Sequence, residues 1–108
     1  MVWTAARGDP HLIGLLEEAL SALDERDSAL RAKLTARLSG AIRDQPYRQR
    51  SVALSAEAVE MARRIDDSAT LAYALDARCI ALAGPATLTE FRTATGEFTG
   101  LAEKTGEP

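Results

Sequence analysis

The stretch Arg63–Arg78 reads RRIDDSATLAYALDAR, with two adjacent acids set between Ala- and Leu-rich runs. Asp66 and Asp67 are either a paired carboxylate site or the corner where one helix ends and another starts. A catalytic pair needs two carboxylates facing one centre, with one pKa shifted by burial. No residues around this pair supply such a pocket. A corner needs a residue that tolerates the left-handed conformation at the helix exit, then an acceptor for the next helix's free amides. Asp66 suits the first post and Asp67 the second. The pair therefore predicts a joint, with a helix before it and a helix after it.

Working outward, the same joint recurs. Offsets of forty align Ala22, Ala62 and Ala102, then Asp27, Asp67 and Glu107, and also Glu17, Glu57 and Glu97. Asp-Ser-Ala occurs at 27–29 and again at 67–69. This is a degenerate internal repeat of helix, short polar link and helix, with an acid expected at each N-cap.

Apolar spacing then predicts five helices. The first spans about 10–24, capped by Asp9 with Pro10 in its first turn. Its inward face is Leu12, Leu16, Ala19, Leu20 and Leu23. The second spans about 28–43 and turns Leu30, Leu34, Leu38, Ala41 and Ile42 inward. Pro46 stops it. The third, about 47–65, carries Leu54, Ala58, Met61, Ala62 and Ile65, flanked by Val52, Ala56 and Val59. The fourth, about 68–83, has one stripe of Leu71, Leu75, Cys79 and Leu82. A second stripe of Tyr73, Ala77 and Ile80 makes it the most buried helix by expectation. After the Gly84-Pro85 break, the fifth spans about 88–104, capped by Thr87. Leu88, Phe91, Phe98, Leu101 and Ala102 face inward.

Links this short favour antiparallel neighbours. The expected fold is all-α: antiparallel helix hairpins stacked as a tetratricopeptide-like α-solenoid over 10–108, behind a tail at 1–9. Trp3 in that tail either covers an end of the stack or is loose. Two and a half hairpins are few for such a stack, so a marginal chain, or self-association through uncovered ends, is expected.

Composition agrees with a single small helical domain. Alanine occupies 21 of the 108 positions and leucine 14, and both residues favour helix and close packing. The net charge of -3 gives no global attraction to nucleic acid. Arg31, Lys33, Arg37, Arg43, Arg48 and Arg50 face one acid, Asp44, across 31–50. That cluster reads as a solvated helix face, or alternatively as a site for an acidic or phosphate-bearing partner.

The single cysteine, Cys79, excludes an intrachain disulfide and a cysteine-built zinc site. His11 is the lone histidine and has no partner for catalysis or metal binding in the pattern. No phosphate loop of the form G-x-x-x-x-G-K-[ST] occurs. No apolar run has membrane-spanning length, nor does a signal peptide open the chain, so a cytoplasmic location is expected. No enzyme, cofactor or metal is expected.

The stretches LLEEALSALDERDSALRAKLTARLSGAIRD (15–44) and RQRSVALSAEAVEMARRIDDSATLAYALDARCIALAGPATLTEF (48–91) resemble one known region. It is the tetratricopeptide-like helical array of actinobacterial LuxR-type, ATP-binding transcriptional regulators related to the maltose regulator. In that family the array senses an inducer or partner, between an ATPase module and a DNA-binding module. The resemblance implies a fragment of a sensor array that binds a protein or peptide, with no nucleic-acid or membrane contact of its own. Alternatives are a segment that senses a small-molecule inducer, or a truncated product without an independent role. If the first helix of each hairpin lines a groove, Arg37, Tyr73 and Asp76 are the candidate partner-binding residues.

Three departures from the family pattern stand out. Asp66 replaces the usual corner glycine, the fifth helix (TATGEFTG) is poor in leucine, and the period exceeds the common spacing of about 34 residues.

Overall fold

The computed structural model describes residues 10–42, 48–84 and 87–105. Five helices follow one another: α1 (Pro10–Ala22), α2 (Ala29–Ala41), α3 (Arg48–Ile65), α4 (Ser68–Leu82) and α5 (Leu88–Thr105). Each packs antiparallel on the next, and α2 also packs directly on α4. The expectations placed on Trp3, Asp9, Arg43, Pro46, Tyr47, Pro85 and Glu107 fall outside the described residues. The molecule measures 36 × 35 × 25 Å, so it is nearly isometric rather than an extended rod.

The Asp66–Asp67 joint forms as the sequence implies. Asp66 has φ 54, the left-handed conformation that closes α3. Its amide donates to the carbonyls of Ala62 (3.1 Å) and Arg63 (3.2 Å), serving two orphan acceptors of the last turn. Asp67 is extended, with φ -118, and caps α4. Its carboxylate accepts from the Ala69 amide at 3.2 Å and from the Thr70 hydroxyl at 2.7 Å.

The equivalent acid at the α1–α2 link does not do this. Ser28 is the N-cap of α2, its Oγ accepting from the Arg31 amide at 3.0 Å. Asp27 instead takes the Arg64 guanidinium, Nε to Oδ2 at 2.6 Å and Nη2 to Oδ1 at 3.1 Å. A serine with extended backbone one residue nearer the helix meets the free amide directly, which leaves the longer-range arginine for Asp27. Thr87 departs from expectation too. Its hydroxyl donates back to the Leu82 carbonyl and so closes the end of α4.

Two apolar clusters hold the helices. Leu16, Leu38 and Ile42 join α1 to α2, with Leu12, Leu20, Leu34 and Leu54 packed around them. Ala36, Ala58, Val59, Ala62, Ala74 and Leu75 form the centre of α2, α3 and α4, and Phe98 and Leu101 bring α5 onto it. The central cluster is mostly alanine, so backbones approach closely. Between α2 and α3 this lets two buried serines cross-bond. Ser39 Oγ donates to the Ser51 carbonyl at 2.7 Å, and Ser51 Oγ donates to the Ser39 carbonyl at 2.7 Å.

Four inward-facing expectations are corrected. Leu30 is 54% exposed and Leu88 is 46% exposed, so neither faces inward. On α4, Tyr73 (41%) and Ile80 (46%) lie on the surface, so this helix is buried along one side only. Its inner side is Thr70, Ala74, Leu75, Ala81 and Leu82. Small residues form the tight contacts, and the large ones on the opposite side are left to solvent.

Candidate functional site

Arg37 lies on α2, and Tyr73 and Asp76 lie on α4; all three are exposed. Helical spacing aligns Leu30, Lys33 and Arg37 along one line of α2, and Tyr73, Asp76 and Ile80 along one line of α4. Every one of these six residues is exposed. Because α2 packs on α4, the two lines belong to neighbouring helices. Among the described residues, no hydrogen bond or ion pair joins Arg37, Tyr73 and Asp76 to one another. Lys33 lies near enough to Asp67 to help hold its carboxyl below the ordinary range. The larger cause there is the Thr70 hydroxyl, with the Ala69 and Thr70 amides adding to it and desolvation opposing.

The rest of the basic run is mostly spent inside the molecule. Arg31 Nη1 donates to the Leu20 carbonyl in the last turn of α1 at 3.4 Å and to the Asp24 carbonyl just beyond it at 3.1 Å, and so closes the end of α1. Arg48 Nη2 does the same for Ala83 at the end of α4, at 3.0 Å. Arg50 pairs with Glu17 of α1 at 2.9 Å. Of that run, Lys33 and Arg37 alone among the described residues point outward without such a bond.

A second feature escapes a reading of stripes. Helices α3 and α5 both pack on α4 but stand apart from each other, leaving a cleft of about 270 Å³ floored by α4. Ala56, Val59, Leu75 and Ala94 make its apolar base. Its walls carry Glu60 and Arg63 from α3, Thr89, Glu90, Thr93 and Glu97 from α5, and Arg78 from α4.

Arg63 and Glu97 span the cleft as a two-pronged pair, Nη1 to Oε2 at 2.5 Å and Nη2 to Oε1 at 2.8 Å. That bond holds the Glu97 carboxyl below its ordinary pKa and raises the already high pKa of Arg63, in both cases against partial desolvation. Arg78 Nη1 donates to the Val52 carbonyl and the Ser55 hydroxyl, each at 3.1 Å. Glu17 of α1 and Glu97 of α5 both pair with arginines of α3.

His11 is exposed in the first turn of α1. Cys79 is half-buried between α4 and α5, its Sγ 3.6 Å from Thr95 Oγ1. Among the described residues, no three His, Cys, Asp or Glu side chains are grouped to hold a metal ion. No described helix is long and apolar enough to cross a membrane. No protein-family model, curated protein or solved structure matches the chain.

Proposed function

We propose that this chain is a non-catalytic interaction module. It is a piece of the sensor array of a LuxR-type transcriptional regulator, and it receives a protein or peptide across α2 and α4. The observation that carries this reading is the pair of exposed lines on two touching helices. They combine apolar area (Leu30, Tyr73, Ile80) with charges of both signs (Lys33, Arg37, Asp76). Apolar anchors with a polar surround are what a peptide surface needs, and Tyr and Arg are frequent anchors. The successive hairpins, joined at the Asp66–Asp67 corner, support the repeat-array part of the reading.

The test is a displayed-peptide selection on the purified chain, followed by mapping on amide NMR signals. Selected peptides should move signals along α2 and α4. The combined variant Arg37→Ala, Tyr73→Ala, Asp76→Ala should stay helical and bind at least about tenfold more weakly, which is about 1.4 kcal/mol. Full affinity in that variant, or a selection that enriches nothing, removes the proposal. Self-association through exposed apolar residues such as Leu15, 50% exposed on α1, belongs to the same reading. Light scattering across a concentration series checks it, and a clean monomer throughout counts against it.

A second reading, a small-molecule inducer segment, is favoured by the cleft between α3 and α5.

A further inference from the structure

The cleft has a mixed electrostatic character that narrows what could occupy it. Arg78 is half-buried on its floor and forms no ion pair among the described residues. Its acceptors there are a backbone carbonyl and a hydroxyl, so its charge is solvated by dipoles and not neutralised. One side of that guanidinium is used, and a planar fork of this kind can still take a carboxylate.

Glu60 and Glu90 stand on opposite walls, one from α3 and one from α5. Neither carboxylate has a hydrogen bond or close ion pair among the described residues, while Glu60 also lies in the field of Arg63 and Arg64 on its own helix. Arg63, by contrast, is already matched by Glu97. The available groups are therefore one cation at the floor and two anions at the walls, around an apolar base that includes Val59 and Leu75.

An anion alone would meet Glu60 and Glu90. A simple amine would sit over Arg78. A molecule carrying both charges on one carbon, with a short apolar side chain, answers all three features. We infer that the cleft between α3 and α5 binds a free zwitterionic amino acid with an aliphatic side chain. Its carboxylate meets Arg78, its ammonium meets Glu60 and Glu90, and its side chain lies against the half-buried Ala56, above the buried Val59 and Leu75. This goes beyond the peptide reading and uses a different face of the molecule. The volume of about 270 Å³ falls just below the usual range of ligand sites, about 300–1,000 Å³, which favours a ligand of this size over a larger one.

The test titrates the whole chain with L-leucine and L-valine, following amide NMR signals and heat. Leucinamide, which lacks the carboxylate, and N-acetyl-leucine, which lacks the ammonium, serve as matched probes. Binding of the free amino acid should move signals of Val59, Leu75, Thr93 and Ala94 and leave those of Arg37 and Tyr73 in place. Each capped probe should bind at least about tenfold more weakly. The combined variant Glu60→Gln, Glu90→Gln should show the same loss while keeping its helical signal. Because Arg78 also ties α4 to α3, the leucinamide probe tests its part without altering the fold. Equal binding of capped and free probes, unchanged affinity in the Gln variant, or no signal change at millimolar ligand would each overturn the inference. The peptide reading is scored on different signals, so either can fail alone.

Discussion

Arg48 lies across the end of α4 so closely that a methyl group on Gly84 would come within 2.9 Å of its Nη2. Gly84 has φ +149, a conformation L side chains rarely adopt. The same guanidinium holds the Ala83 carbonyl, so the α4 exit and the first turn of α3 are one junction.

Gly84→Ala should therefore destabilise the fold by about 1–3 kcal/mol, combining backbone strain with displacement of the arginine. Urea unfolding of the two proteins measures this. Arg48→Ala alone should cost less, and adding it to Gly84→Ala should recover the steric part but not the backbone part. A Gly84→Ala variant as stable as the parent would refute the junction.

The other unusual backbone, Asp66 at φ 54, predicts the opposite sign. Glycine removes the penalty of the left-handed conformation, about 1–2 kcal/mol, and loses part of that gain to greater freedom when unfolded. Asp66→Gly should raise stability by about 0.5–1 kcal/mol, and Asp66→Val should lower it. Thermal melts of the three proteins give the order.

Asp67 predicts a pH response. Its carboxyl sits below its ordinary pKa because of the Thr70 hydroxyl and nearby amides. Asp27 is lowered by Arg64, and Glu97 by Arg63. Depressed folded-state values mean stability that is fully present above the unfolded carboxyl range and is lost as pH falls through the folded values. Melting temperature should be flat near neutrality and drop below about pH 4. Asp67→Ala should lower it by several degrees at neutral pH, because the cap is lost and the buried Thr70 hydroxyl loses its acceptor. It should also flatten the acid limb. An unchanged acid limb in that variant would show that the carboxylate does not contribute this way.

One-sided burial of α4 gives a paired prediction. Leu75 is 1% exposed, and Leu75→Ala should cost about 2–5 kcal/mol. Ile80 is 46% exposed, and Ile80→Ser should change stability by no more than about 0.5 kcal/mol. Chemical denaturation of both variants decides it, and similar losses would mean that Ile80 is covered.

The helices were legible because their ends are written locally. The Asp-Asp corner and the Asp-Ser link carry their own capping chemistry, so α3, α4 and the start of α2 fall within a residue or so of the sequence reading. What was not legible follows from alanine. Stripe reading weights large side chains, and it turned Leu30 inward on α2. The helix actually buries Ala32, Thr35, Ala36, Leu38 and Ser39. Close approach of backbones rewards small side chains, and no tally of hydrophobicity scores that. Arg37 and Asp76 lie at the surface, and so does Tyr73, which the stripe pattern turns inward together with Leu30 and Ile80. The cleft depends on how far α3 and α5 diverge over α4. Divergence is a property of three helices together and leaves no mark in any one of them.

The crossed serines of α2 and α3 also bear on how the first hairpin finds its alignment. Sliding α3 one turn along α2 would keep much of the alanine packing, since alanines recur on both faces. It would strand two buried hydroxyls at once, because Ser39 and Ser51 are each other's partners. At about 1–3 kcal/mol for each unsatisfied group, slippage is penalised twice by residues that add almost no apolar area. In a chain whose core is too uniform to choose its own register, two serines act as the detent.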